Sequence, residues 1–204
     1  MTHDRPDLRV QRTQQLIQNA LIELSNERGF NAVTVGEIAR RAKVNRATFY
    51  RHYQDKYGLV EEIFQEAIDR MRQDLNPPGE GALNIDPQNP PQRLVRLFEH
   101  FAEHKSLYRA LLGTNGSSWF TARMRDQISN LIEQREQLRD QIPTLKRQMP
   151  EMGIPRTVAI TLASTLLIST VTWWLENGKQ YSPQQMASWF LEFVLNGYVR
   201  VLGL

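Results

Sequence analysis

Cysteine is absent from all 204 residues. That gap excludes a disulfide scaffold, a thiolate zinc site and a cysteine nucleophile together, and it suits a reducing compartment. Proline and glycine, ten and 11 residues, stand close to the usual level, too few for a collagen-like or low-complexity chain. The charge surplus is small, 25 Lys and Arg against 22 Asp and Glu, so its distribution along the chain is more informative than its sum. The opening MTHDRPDLRVQR lacks the apolar stretch of a secretory leader, and a cytoplasmic protein is expected. Also missing are a Ser/His/Asp set, a glycine-rich phosphate loop and a clustered carboxylate pair. No catalytic residue, resident metal or cofactor is therefore expected, and the chain does not read as an enzyme. No repeat recurs at the periods of a solenoid.

What is present is helical. Before residue 75 no period-two run of β-branched residues is long enough for a strand, so an all-α fold follows. Ile17, Ala20, Leu21 and Leu24 form one stripe of a first helix that should stop near Arg28 and Gly29. Thr34 opens a second helix, with Glu37 placed to complete a capping box. Lys43 and Val44 separate it from Asn45, a good cap for a third helix on which Phe49 and Tyr53 share the inward face. Asp55 caps a fourth, running past Leu59, Ile63, Ala67 and Met71. Residues 76–91 hold five prolines and two glycines and read as a linker. Beyond them come a stripe of Leu94, Leu97, Phe98 and Phe101, a short helix from Leu107 to Leu112 ending at Gly113, and a longer one from Trp119 through Leu138. Two last helices follow, one entered at Pro155 and one entered at the box Ser182-Pro183-Gln184-Gln185. The terminal helix is apolar on more than one side, more than packing on one neighbour requires.

A short capped helix, a tight turn and a second short helix make a helix-turn-helix, whose second member can enter the major groove. Between Thr34 and Lys56 the bases Arg40, Arg41, Lys43, Arg46, Arg51 and Lys56 face the acids Glu37 and Asp55, a net +4 in 23 residues. Duplex DNA is the natural partner of such a patch, because phosphate neutralisation releases counterions. The bland alternative is a helical protein-interaction module with a solvated basic face.

The segment VTVGEIARRAKVNRATFYRHYQDK, residues 33–56, together with the Gly29-Phe30 exit from the first helix, resembles the DNA-binding segment of TetR-type (TetR/AcrR) bacterial transcriptional regulators. The resemblance implies an all-α protein with a three-helix DNA-binding head over 1–54, a connecting helix over 55–75, the linker over 76–91, and a helical ligand-binding and dimerisation domain over 92–204. It implies a homodimeric repressor of a palindromic operator, released by a small-molecule effector. It assigns phosphate contacts to Thr34 and Lys56, and DNA contacts to Val35 beside them. Base reading falls to Asn45, Arg46, Ala47 and Thr48, with Arg46 able to grip guanine bidentately, and further groove and phosphate contacts to Tyr50 and His52. Gly36 departs from the pattern: where many members present a polar side chain, this chain has none. Effector candidates are Phe101, His104, Tyr108, Trp119, Phe120, Trp173 and Trp174, although aromatic residues at helical spacing ordinarily build core. Dimerisation candidates on the last two helices are Leu166, Met186, Trp189, Phe190, Phe193 and Tyr198.

Two local patterns compete with this reading. Thr157 to Leu175 is free of charge for 19 residues, near the span of a bilayer, but seven of them are Thr or Ser, and a buried helix without any membrane partner is expected. His100-Phe101-Ala102-Glu103-His104 spells H-x-x-E-H, the order of inverted zinc peptidases. The nearest acids for a third ligand, Glu133 and Glu136, belong to no motif. A zinc-dependent hydrolase using His100, Glu103 and His104 is the remote alternative, a regulatory metal on the two histidines a nearer one, and satisfied surface histidines the simplest.

Overall fold

The computed structural model describes residues 8–75, 88–140, 154–177 and 180–201. Its elements in chain order are α1 (Leu8–Arg28), a 3-10 turn (Phe30–Ala32), α2 (Val35–Arg41), α3 (Arg46–His52), α4 (Lys56–Leu75), α5 (Gln92–Glu103), α6 (Lys105–Leu112), α7 (Ser118–Asp140), α8 (Arg156–Asn177) and α9 (Pro183–Val201). The fold is all-α, as the patterning predicts. Most of the expected linker, residues 76–87, lies outside the described residues.

Local chemistry sets the helix ends. At α2 the Thr34 hydroxyl accepts from the Glu37 amide while the Glu37 carboxylate accepts from the Thr34 amide, so two orphan donors are satisfied reciprocally. Asn45 Oδ1 accepts from the Thr48 amide at 2.6 Å, and Asp55 Oδ1 accepts from the amides of Tyr57 and Gly58. The same reciprocal arrangement opens α9, between Ser182 and Gln185. Between α2 and α3 the chain turns through Lys43, whose φ of 58° is left-handed. α1 stops at Gly29, where φ is 85° and the next amide, that of Phe30, donates to the Asn115 carbonyl at 2.9 Å.

The head and the body share one continuous core. Ile17 and Leu21 of α1, Phe49 of α3, the inner face of α4 (Leu59, Val60, Ile63, Phe64, Ala67, Ile68, Met71) and the body aromatics Phe98, Phe101, Tyr108 and Phe120 belong to a single buried cluster. α4 carries the link: it leaves the head and packs against α5 and α7, while α1 packs against α6. Phe64 of α4 meets Phe120 edge-on at 5.6 Å, an arrangement that aromatic quadrupoles favour. α8 is long and apolar enough to cross a membrane by length and composition, yet Ile160, Leu167, Ile168, Val171, Trp174 and Leu175 are buried, against α6 and α7. Its Ser164 accepts a hydrogen bond from Ser129 at 2.9 Å, which satisfies a polar group that burial would otherwise penalise.

Candidate nucleic-acid interface

The α2–turn–α3 unit is held from below by apolar contacts, leaving its outer face in solvent. Ile38, Ala39 and Ala42 of the first helix and its turn are buried, as are Phe49 and Tyr53. The opposite face of α3 consists of exposed Arg46, Ala47, Tyr50 and Arg51, with Thr48 and His52 half-buried. Tyr50 is 57% exposed, with its ring edge-on to Phe49 at 5.6 Å. Arg51 donates to the Thr48 hydroxyl at 3.2 Å, which holds the guanidinium along the helix.

Of the six bases in the patch, two are spoken for. Arg41 forks onto Glu27, with contacts of 2.7 and 2.8 Å, and also reaches Glu23 at 3.0 Å. Its guanidinium therefore ties α2 to α1 at the surface, and the Arg41 hydrogen bond pulls the Glu27 carboxyl below its ordinary pKa. Lys56 donates to the carbonyls of Phe30, Asn31 and Val33 at 3.0, 3.2 and 3.0 Å and lies 4.5 Å from the Phe30 ring centroid. Burial pushes its pKa down. The ammonium thus caps the carbonyls of the α1–α2 connection, so the phosphate contact expected of it would have to compete with three oxygens already in place. Arg40, Lys43, Arg46 and Arg51 remain, all exposed.

Thr34 also has a prior engagement. Its hydroxyl donates to Glu37 Oε2 at 2.6 Å, and Arg28 reaches the same carboxylate oxygen at 2.8 Å. The Thr34 hydroxyl, the Arg28 ion pair and the Thr34 amide, in that order, hold the Glu37 carboxyl down at about 2. A depressed carboxyl pKa stabilises the fold above the unfolded value and loses that contribution as pH falls through the folded one. Wild-type melting should therefore fall more steeply than that of Glu37→Gln between pH 4.5 and about 2, with the two curves converging at the acid end. Parallel curves in a melting series across this range would refute the role of the carboxylate charge.

A polar network unforeseen from the sequence braces the recognition helix from behind. Tyr53 donates to Glu62 Oε1 at 2.5 Å, and Gln14 and Gln18 of α1 donate to the same carboxylate. Gln18 also donates to Glu66 at 3.0 Å. Burial first, and the Glu62 hydrogen bond second, raise the Tyr53 pKa, so the phenol stays a donor at every physiological pH. Glu62 carries no sequence signal for this role, since a Glu on a helix ordinarily faces water.

Family models match most of the chain: "Bacterial regulatory proteins, tetR family" over residues 17–63 and "Transcriptional regulator C-terminal region" over residues 88–196. The chain belongs to the TetR family. It is similar to the HTH-type transcriptional regulator YdeS of Bacillus subtilis, 42% identical over 60 residues covering 29% of this chain and 30% of that protein. It spans less than a third of several other curated relatives. Among solved structures, a TetR transcriptional regulator from Streptococcus agalactiae is similar at 23% identity and TM-score 0.62, covering 91% of this chain and 95% of that one. NalD of Pseudomonas aeruginosa, a secondary repressor of a multidrug efflux pump, is similar at 18% identity and TM-score 0.63, covering 93% and 96%. These likenesses show the fold. Membership of this family supports a DNA-binding regulator.

The remaining TetR-type expectations are distributed unevenly. Phe101, Tyr108 and Phe120 are fully buried in the body core, and Trp174 is buried with its indole N–H donated to the Tyr181 carbonyl. Trp119 is half-buried against Phe64. Trp173 does not join them. It is 49% exposed and stacks on Tyr181, because successive residues on α8 point about 100° apart and its neighbour takes the inward position. His104 sits where α5 gives way to α6 and lines a groove of about 310 Å³ together with Gln18, Glu66 and Arg70, between the head and the body. Met186 is buried within its own subunit, contrary to its expected place on a subunit interface. Phe190 and Phe193 are half-buried, and Phe190 packs near Phe98. Leu166 is also half-buried, Trp189 is exposed, and the Tyr198 side chain lies outside the described residues.

The fold sets the two imidazoles of the H-x-x-E-H pattern beside each other, ring centroids 4.8 Å apart, without a third ligand among the described residues. His100 is buried, not at the surface, with Nε2 2.8 Å from the Tyr108 hydroxyl, and among the described residues no group of three or more His, Asp or Glu could hold a metal ion. Glu136 has its side chain outside the described set.

Proposed function

We propose that the protein is a cytoplasmic, homodimeric repressor that grips a palindromic operator through two copies of α3 and lets go when a small molecule binds the body. The observation that carries this reading is the set of exposed bases on the helix-turn-helix, Arg40 of α2, Lys43 of the turn and Arg46 and Arg51 of α3, together with exposed Tyr50 on an α3 whose inner face is buried. Arg46 reads a guanine edge, with Asn45, Ala47 and Thr48 beside it at the leading end of the helix. Val35, Tyr50 and His52 meet the groove walls and backbone, and Thr34 offers a hydroxyl to a phosphate at the start of α2. Lys56 acts chiefly by fixing the backbone of the α1–α2 connection.

Dimerisation is supported by an apolar face that the subunit leaves uncovered: Val158, Leu162 and Trp173 on α8, and Trp189, Val194 and Leu195 on α9. Two-fold pairing of that face would present the recognition helices to successive major grooves, about 34 to 36 Å apart on B-form DNA. Release by an effector is supported by the way the body reaches the head. α4 spans both, α1 rests on α6, and the Phe30 amide is bonded to Asn115 in the α6–α7 loop. A ligand that favours a shifted α4 would change the separation of the two heads.

Mobility-shift titration over a series of salt concentrations tests the reading. Wild type should bind duplex tightly and selectively, Arg46→Ala should relax the selectivity, and Lys43→Ala should weaken binding to all sequences alike while lowering the log–log salt slope by about 1. A helical protein-interaction module would show no salt-dependent duplex binding.

A further inference from the structure

Gly36 occupies the second position of α2 and Arg46 the first of α3. A Cβ built on Gly36 would stand 2.1 Å from Arg46 Nη2, 2.9 Å from Cζ and 3.0 Å from Nε. The Nη2 edge of the guanidinium therefore sits against the α2 backbone at the one residue there that has no side chain. Other described glycines make a different kind of close approach. At Gly113 and Gly116 the added atom would strike backbone carbonyls at 2.4 Å, those of Arg109 and Leu111. At Gly36 every close atom belongs to the far end of a flexible side chain.

Arg46 has no ion pair among the described residues, so no acid among them positions its fork. The seat does. Resting on the reading of α3 as the base-reading helix, we infer that Gly36 is a specificity-determining residue that acts through Arg46. Its missing side chain sets the height and direction from which the guanidinium enters the groove. A five-donor planar fork discriminates bases only when both N–H bonds align with the acceptor pair, so a small displacement of the fork weakens selectivity before it weakens charge attraction. Gly36 is thus a positioning residue, and the absence of a side chain at 36 is a feature of the reader.

The physical signs of the two effects of Gly36→Ala are opposite. The added methyl displaces only the end of a mobile arginine, and alanine is a better helix residue than glycine, so the melting midpoint should match or exceed wild type. Base selection should suffer. Selection from a duplex pool carrying two inverted, randomised half-sites measures it. Wild type should enrich one motif, and Gly36→Ala should lose about tenfold in preference at one base pair per half-site, the same pair that Arg46→Ala flattens. The double variant Gly36→Ala/Arg46→Ala should enrich the Arg46→Ala motif. An unchanged motif in Gly36→Ala, a change at a pair that Arg46→Ala leaves intact, or a lowered melting midpoint overturns the inference alone. A wild type that enriches nothing overturns the assignment of α3 as the reader and the inference together.

Discussion

Glutamate at both Leu162 and Trp189 should give a folded monomer whose affinity for a duplex with two half-sites is lower by about 10²- to 10⁴-fold. These side chains are 59% and 49% exposed, so the subunit loses little packing when they change. On α8, Val158, Leu162, Thr165, Ser169 and Trp173 follow one another at spacings of three or four and share one face. The Thr and Ser members are exposed as well. A subunit that pairs through this face buries it, and two carboxylates placed there would be desolvated without partners, a cost large enough to separate the chains. Each half then binds as a single head, and the gain from linked binding disappears while every DNA contact remains. Sedimentation and duplex titration of the same preparation read both effects. A double variant that stays dimeric, or that binds the two-site duplex as tightly as wild type, removes the α8–α9 face from the interface.

Gly29→Ala should destabilise the protein by about 3 kcal/mol, lowering the melting midpoint by roughly 6–12 °C for a chain of this size. Two causes add. Gly29 sits at φ 85° and ψ 147°, a region that residues with a Cβ occupy only at about 1–3 kcal/mol. The methyl would also stand 2.8 Å from Asn115 Cβ and 3.0 Å from the Asn115 carbonyl oxygen. That carbonyl accepts from the Phe30 amide, so the clash falls on the joint between the head and the α6–α7 loop. The same loop is anchored to α8 by Thr114, whose amide and hydroxyl donate to Glu176 at 2.8 and 3.1 Å, and it cannot simply withdraw. Asn115→Gly in the Gly29→Ala background should recover the part of the clash that Asn115 Cβ causes and leave the carbonyl contact and the backbone strain. A Gly29→Ala midpoint within a degree of wild type would show that the joint has slack, and the proposed route from body to head would lose its stiffest element.

Much of the DNA-binding head is legible in the residues. Thr34 with Glu37, Asn45 before Arg46, and Asp55 before Lys56 each satisfy amides within three residues of themselves, and the structure contains all three caps. The buried stripe of Ile17, Ala20, Leu21 and Leu24 and the inward pair Phe49 and Tyr53 follow from helical spacing alone. Other assignments needed more than spacing. Arg40 and Arg41 are adjacent and chemically identical, yet only Arg41 meets Glu23 and Glu27, because α1 passes on its side. Lys56 looks like a free cation until the Phe30–Val33 carbonyls are seen converging on it. On α9 Met186 turns inward and Trp189, three residues later, turns out.

Local backbone chemistry, then, was settled by the order of residues: where helices begin and stop, and which stripe of each seeks a neighbour. Partner choice was settled by the assembled fold, since a charge or an indole has many equally good suitors until packing decides which of them is within reach. The bare backbone at Gly36 under Arg46 belongs to the second kind, a juxtaposition made by the angle between two helices and written in neither of them.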